Sequence, residues 1–152
     1  MKFLIKILMI LALTPMVLCA ETSKSIKLQA FIKNNNISYS IKNISKSSLK
    51  ISKKISLDPL YSSIEFEIKY HSMIVSLVTS VNPNLPDANS YEIILPGGYA
   101  RGSIDLNQVE GAYGISNGCY RVVIIYNDRF SSEFHALSET ARSGSMSVCK
   151  SK

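Results

Sequence analysis

The sequence predicts an all-β fold, a single antiparallel β-sandwich, and two observations support this prediction. In several runs apolar residues alternate with polar ones, as they do from Ile64 to Tyr70. Alternation with a period of two places one side of a strand on a core and the other side in water. The runs are separated by turn signals such as Pro96-Gly97-Gly98 and Asn117-Gly118. Short strands with turns at this spacing are typical of sandwiches and barrels.

Seven to nine strands and one helical stretch are predicted along the chain. The run at residues 120–126 consists almost entirely of β-branched and aromatic residues, which predicts a central strand covered on both faces. Residues 131–142 are the possible helical stretch, because Phe134, Leu137 and Ala141 have helical spacing. The strands are expected at residues 26–32, 37–41, 49–55, 64–70, 73–79, 91–95, 103–106, 120–126 and 145–149.

The glycines of the second half of the chain are interpreted as turn residues. A phosphate-binding loop leads into a helix, whereas the residues after Gly98 continue as a strand and carry no Gly-Lys-Ser or Gly-Lys-Thr. Tyr113 lies just before the central run and is placed to anchor a corner, as tyrosines do in immunoglobulin-like sandwiches. The expected fold is therefore a single immunoglobulin-like antiparallel β-sandwich.

The first 20 residues have the pattern of an export signal. Lys2 and Lys6 form a positive start, and the run from Leu4 to Leu18 is almost wholly apolar but too short to span a bilayer. Cleavage after Ala20 leaves residues 21–152 as one exported domain, periplasmic or secreted. In the alternative, Cys19 is the lipid-modified first residue of a lipoprotein, and the protein then contacts a membrane.

The two remaining cysteines, Cys119 and Cys149, are an even pair in an oxidising compartment. A disulfide between them is the natural inference. It closes a loop of about 30 residues and stabilises the fold by roughly 3–4 kcal/mol in the chain-entropy account. Two thiols and two distant histidines lack the close spacing of a zinc site, so neither a metal nor another cofactor is expected.

Positive charge is concentrated near the start of the exported chain. Eight lysines, beginning with Lys24 and ending with Lys54, occur between Glu21 and Asp58 without an intervening acid. Such a block marks an acidic partner, a nucleic acid or an anionic lipid surface, or else a solvated face that protects exposed strand edges. No arginine and few aromatic residues interleave with the lysines, so no nucleic acid is expected as a partner.

The polar residues give no constellation that predicts catalysis. His71 and His135 are isolated in the sequence, and lone histidines are more often surface residues than bases. Glu65 and Glu67 lie on the same side of one strand, and Lys69 continues the row. We therefore expect a charged outer face there rather than a catalytic carboxylate pair.

Four segments follow one another in an order that resembles a known family. They are NISKSSLKI, SLDPLYSSIEFEI, YEIILPGGYARGSIDL and YGISNGCYRVVIIY, between Asn43 and Tyr126. This layout resembles the immunoglobulin-like proregion domain of deuterolysin-type (aspzincin) metalloproteases and related secreted proteinase-inhibitor sandwiches. The resemblance implies a free-standing domain that binds and restrains a secreted protease.

The expected function is that of an exported, non-enzymatic binding module that acts through loops on a rigid scaffold. The candidate loops are residues 57–61 and 82–89. A second interpretation makes the leucines of these loops plugs for the ends of the sandwich. The alternative function is a structural or accessory protein of the cell envelope or of a secreted assembly. The candidate contact residues are Leu57, Asp58, Leu60, Tyr61, Leu85 and Pro86.

Overall fold

The computed structural model describes residues 24–79 and 84–150; the predicted export signal, Cys19 included, lies outside them. The described residues form ten strands, two short α-helices and two 3₁₀ turns. The strands are β1 (Ile26–Lys33), β2 (Asn36–Asn43), β3 (Leu49–Ser52), β4 (Ile64–Tyr70), β5 (Met73–Ile74), β6 (Tyr91–Ile94), β7 (Tyr99–Asp105), β8 (Gly118–Tyr126), β9 (Ala141–Arg142) and β10 (Met146–Lys150). The helices are α1 (Leu106–Ala112) and α2 (Ser131–Phe134), and the 3₁₀ turns are Pro59–Tyr61 and Ala88–Ser90.

The strands form two main sheets and a two-stranded ribbon, and every ladder between them is antiparallel. One sheet has the order β1-β2-β7, and the other has the order β10-β8-β4-β5, with β9 also pairing with β8. The ribbon consists of β3 and β6. The prediction of an all-β antiparallel sandwich is confirmed.

Residues from both main sheets, the ribbon and α1 share one hydrophobic core. Ile37 and Ile41 of β2, Ile51 of β3 and Ile124 of β8 are completely buried, and all belong to one packed cluster. The alternation in the sequence explains this arrangement, because every second residue of β2 and β8 is buried.

The central strand is β8, which pairs with β4 on one edge and with β9 and β10 on the other. Tyr120, Val122, Ile124 and Tyr126 are buried on one face, as predicted, while the alternate residues are exposed or half-buried. The expectation of cover on both faces is therefore wrong. The outer face carries the charged row of β4 instead, with ion pairs from Arg142 to Glu67 (2.7 Å), Arg129 to Glu65 (3.4 Å) and Lys69 to Glu67 (3.5 Å).

The chain departs from the predicted strands at residues 103–106 and at residues 73–79, and a backbone hydrogen bond connects the two regions. The strand expected at residues 103–106 ends at Asp105, whose carboxylate accepts a hydrogen bond from the Asn107 N–H (2.7 Å) and starts α1. The strand expected at residues 73–79 is a strand only at Met73–Ile74. Further on, the Val78 N–H donates to the carbonyl of Ala112, at the end of α1 (2.9 Å). Val78 therefore donates its backbone hydrogen bond to the end of a helix, whereas the prediction placed Val78 in a strand of a sheet.

The C-terminal half of the chain agrees better with the predictions. The helical stretch expected at residues 131–142 is helical only at Ser131–Phe134, and its end, Ala141–Arg142, is instead the strand β9, which pairs with β8. The expected edge strand is β10, which lies beside β8. Tyr113 is buried at the end of α1 and donates from its hydroxyl to the carbonyl of Phe66 on β4 (3.1 Å). It anchors the helix end to the sheet, although its partner lies 47 residues upstream rather than in the neighbouring loop.

Candidate functional site

The first candidate loop is a short, rigid turn. The carboxylate of Asp58 accepts a hydrogen bond from the Leu60 N–H (2.9 Å) and caps the 3₁₀ turn Pro59–Tyr61. Below it the buried hydroxyl of Ser62 accepts from the Ser56 N–H (2.9 Å) and from the Ile64 N–H (3.0 Å). The loop is therefore held at its tip and at its base.

This geometry gives the loop residues different roles. Leu57 packs against the core, Tyr61 is half-buried, and the side chain of Leu60 is 59% exposed. Leu60 does not plug the end of the sandwich. It is an apolar side chain held in solvent by a capped turn.

The second candidate loop also leads into a 3₁₀ turn capped by an aspartate. Its described part is residues 84–89; residues 82 and 83 lie outside the described residues. Asp87 and Ser90 form a capping box, in which the Asp87 carboxylate accepts from the Ser90 N–H (3.0 Å) and the Ser90 hydroxyl accepts from the Asp87 N–H (3.1 Å). The hydroxyl of Ser90 also donates to Asp87 and lowers the pKa of its carboxyl group. Pro86 is buried, whereas Leu85 is 62% exposed.

A groove of about 440 Å³ brings the two loops to the same part of the surface. We call it the loop groove; it is lined by residues 54–57 and 103–105 together with Asn84 and Gln108. Leu57 of the first loop and Asn84 of the second therefore border one site. Leu60 is three residues from Leu57 in the chain, and Leu85 is adjacent to Asn84.

Residues of β7 and α1 complete this groove, and sequence reasoning did not include them. Asp105 and Gln108 reach it because β7 turns directly into α1 at Asp105. A signal was present, since an aspartate precedes Leu106, Val109 and Tyr113, which are spaced as on one face of a helix. The alternating pattern before Asp105 obscured it.

The sequence contains one Gly-x-Ser-x-Gly motif, and its structural context differs from that of a nucleophile elbow. Residues 114–118 read Gly-Ile-Ser-Asn-Gly and match the Gly-x-Ser-x-Gly pattern. A nucleophile elbow is a turn from a strand into a helix, whereas this segment follows α1 and leads into β8. Gly114 and Gly118 serve as turn residues with φ of 65° and 85°.

The histidines are found in turns. His71 and His135 are exposed and have φ of 47° and 50°. In residues 24–79 and 84–150, no group of three or more histidine, cysteine, aspartate or glutamate side chains is placed to hold a metal ion. The described part of the chain also contains no helix long and apolar enough to cross a membrane.

The expected disulfide is present and lies on the surface. Cys119 of β8 and Cys149 of β10 are directly paired in the ladder, with their Cα atoms 4.1 Å apart. Both residues are exposed. The next residue makes a second connection, in which the Lys150 ammonium binds the buried carboxylate of Glu110 on α1 (2.6 Å). The end of the chain is thus fixed to β8 and to α1.

A buried polar cluster closes the opposite end of β8. One carboxylate oxygen of Asp128 accepts hydrogen bonds from the hydroxyls of Ser63 (3.1 Å) and Tyr91 (3.2 Å) and from the Phe130 N–H (3.1 Å). Its other oxygen is buried and has no hydrogen-bond partner among the described residues. Burial raises the pKa of Asp128 despite these donors, and it also raises the pKa of Tyr91. The cluster links β4, β6 and β8 and plays a structural part.

Comparison with known proteins adds no relative to this geometry. The chain matches no known protein family, and no curated protein matches it. The resemblance to the deuterolysin proregion domain stays a prediction.

Proposed function

We propose that this protein is an exported, non-enzymatic binding module that holds a protein partner, a secreted peptidase, at the loop groove. The observation that carries the proposal is the exposure of two leucines: Leu60, which is 59% exposed on the turn capped by Asp58, and Leu85, which is 62% exposed and lies two residues before the capping residue Asp87. Burying an exposed leucine in a pocket of a partner removes apolar surface from water, which favours binding. The rigidity of the capped turns lowers the entropy lost on binding.

Export is supported by the disulfide and by the N-terminal sequence. Disulfides persist in oxidising compartments and are rare in the cytosol, and Cys119 and Cys149 are bonded. Residues 1–20 have the charge and hydrophobicity pattern of a signal peptide. Both observations point to the periplasm or the extracellular medium.

A peptidase as the partner is supported by the resemblance and agrees with the form of the first loop. Peptidase clefts bind substrates as extended chains, whereas Pro59–Tyr61 is a capped helical turn whose Asp58 already accepts a backbone hydrogen bond. Such a turn is a poor substrate. It binds as an anchor beside the cleft, with Leu60 as the apolar contact.

The test compares the wild-type protein with the double variant Leu60→Asp and Leu85→Asp. We expect the wild-type protein to slow the cleavage of fluorescent casein by the exported fraction of its source cells, and the double variant to lose this effect. The matched control is the double variant Ile93→Asp and Leu95→Asp, which introduces the same two charges at apolar residues that are 69% and 66% exposed and lie outside the two candidate loops. Equal inhibition by all three proteins, or none by the wild type, would refute the proposal.

A second candidate function, an accessory protein of the cell envelope or of a secreted assembly, is favoured by a different surface. Lys27, Lys33 and Lys42 project from the outer face of the β1-β2-β7 sheet. Chemical cross-linking in intact cells distinguishes the two functions. Products that join Lys54, at the loop groove, to a peptidase support the first function, and products that join Lys42 to an envelope component support the second.

A further inference from the structure

The outer face of the β1-β2-β7 sheet gathers positive charge from distant parts of the sequence. The register places Lys27 beside Lys42 and Lys42 beside Tyr99, and two residues further along it places Gln29, Ser40 and Arg101 in one row. Lys33 lies at the far end of β1. We call this surface the cationic face; it comprises Lys27, Phe31, Lys33, Lys42, Tyr99 and Arg101.

Aromatic residues are interleaved with these cations. The Lys42 ammonium lies 5.4 Å and the Arg101 guanidinium 5.0 Å from the centre of the Tyr99 ring, which are cation–π distances. Tyr99 is nevertheless 44% exposed, and Phe31 is 52% exposed. The lysine block contains no arginine and few aromatic residues in the sequence, and the fold adds Tyr99 and Arg101 to it from β7.

Protection of a sheet edge does not account for this face. Charged residues on an edge strand prevent pairing with other chains, and Lys27 and Lys33 on β1 are suited to that role. Lys42, however, lies on β2, the middle strand of the sheet. Other lysines of the same block have partners elsewhere, since Lys50 donates to the Phe134 carbonyl (2.8 Å) and Lys53 pairs with Glu92 (3.9 Å).

The face also contains a shallow groove with a hydroxyl-rich floor. This depression of about 410 Å³ is bordered by Phe31 and Arg101, and Ser38, Ser40 and Ser103 lie between them. The one acidic residue in the outward rows of β1, β2 and β7 is Asp105, whose carboxylate is occupied as the cap of α1. The groove therefore offers an aromatic side, hydroxyl groups and an unopposed guanidinium.

We infer that the cationic face binds an acidic polysaccharide chain. The arginine and lysines match its acidic groups, the serines match its hydroxyl groups, and Phe31 and Tyr99 present flat surfaces to the apolar faces of sugar rings. The seven residues from Lys27 to Lys33 span about 20 Å along the strands, and three strands span about 10 Å across. This elongated area fits a chain of several sugar units.

Two other polyanions fit the face less well. Phe31 and Tyr99 lie two strand spacings apart across the sheet and four residues apart along the register. This is a distance of about 16 Å, which is too far for stacking of consecutive bases. Binding to a lipid surface is strengthened by several apolar side chains that insert together. Among the outward residues of these three strands, all within the described chain, Phe31 and Tyr99 are the large apolar groups.

The test measures binding of the purified, oxidised protein to immobilised polygalacturonate by biolayer interferometry at about 0.15 M salt, where surface electrostatics are largely screened. Neutral dextran, a thirty-residue oligothymidine and phosphatidylglycerol vesicles are measured in parallel. We expect polygalacturonate to bind and dextran not to bind. Arg101→Gln should weaken the affinity about tenfold, since it removes a charge-assisted contact. Phe31→Ala, which leaves the charge unchanged, should weaken it about fivefold.

The matched control is Arg121→Gln, which removes an exposed arginine from the outer face of β8, in the other sheet. It should leave the affinity within about twofold of the wild type, because it changes the net charge as Arg101→Gln does but lies elsewhere. Thermal melts confirm that each variant is folded. Absence of binding to polygalacturonate, equal losses in the two arginine variants, or tighter binding to oligothymidine or vesicles would overturn the inference. This inference is independent of the loop groove, so inhibition of a peptidase does not bear on it.

Discussion

Replacing both Cys119 and Cys149 by serine removes the covalent link between β8 and the C-terminal strand β10. The bond joins residues 30 positions apart, and the chain-entropy relation for a loop of that length gives about 3–4 kcal/mol of lost stability. The unfolding entropy of a domain of roughly 130 residues is about 0.27 kcal/mol per kelvin. The double variant should therefore melt roughly 11–15 °C below the wild type.

The variant should still fold, because the strand it releases retains other contacts. Five residues of β10 pair with β8, and Lys150 binds the buried carboxylate of Glu110 (2.6 Å). Loss of the cross-link mainly frees the segment between the two cysteines, so limited proteolysis after Phe130 should become faster.

Differential scanning calorimetry without reductant measures the effect, and the wild-type protein in excess reductant serves as the control. The reduced wild type and the variant should melt within a few degrees of each other. A melting temperature of the variant within about 3 °C of the oxidised wild type would refute the entropic reasoning. Two free thiols at Cys119 and Cys149 in the mass spectrum of the non-reduced protein would refute the pairing itself.

Two further predictions concern the packed interior. Burial raises the pKa of Asp128, so the contribution of this carboxyl group to stability is largest below the unfolded pKa and is lost as the pH rises through the folded pKa. Asp128→Asn should therefore gain stability relative to the wild type between pH 3 and pH 7, as measured by urea unfolding. A difference in stability that does not change with pH would contradict this. A Cβ atom on Gly102 would lie 2.7 Å from Cε1 of the Tyr39 ring, so Gly102→Ala should cost about 1–3 kcal/mol in the same assay. Gly111→Ala is the control, because its Cβ meets no atom within 4 Å and helix propensity favours alanine; equal stabilities of the two alanine variants would show that the Tyr39 ring moves freely.

Much of the fold is readable from the sequence, since the side chains of a strand alternate between its faces. The apolar residues of β8, Tyr120 among them, are buried as their spacing predicts. The disulfide was predictable as well, because the expected removal of Cys19 leaves two cysteines in an oxidising compartment and β10 pairs them in register.

Prediction from the local sequence pattern failed where the same segment is compatible with two secondary structures. Residues 103–106 continue an alternating run, yet Asp105 ends the strand because its carboxylate caps α1. Period alone cannot decide between a strand and a capped helix over four residues. The sequence likewise could not decide the exposure of Leu60, because an apolar residue in a loop packs inward or projects outward according to how the turn is held. In the structure, hydrogen bonds of Asp58 and Ser62 hold the turn so that Leu60 projects outward.

The two candidate surfaces depended on the tertiary structure alone. Lys42 and Tyr99 are 57 positions apart in the chain, yet β2 and β7 pair them directly, and the loop groove joins Leu57 to Asp105 and Gln108 in the same way. The sequence determined which residues form strands and which side of each strand is apolar, because those properties arise from neighbours in the chain. Which strands lie side by side, and in what register, is set by contacts between distant residues that bury the apolar sides together, and only that pairing placed an arginine and a tyrosine among the lysines.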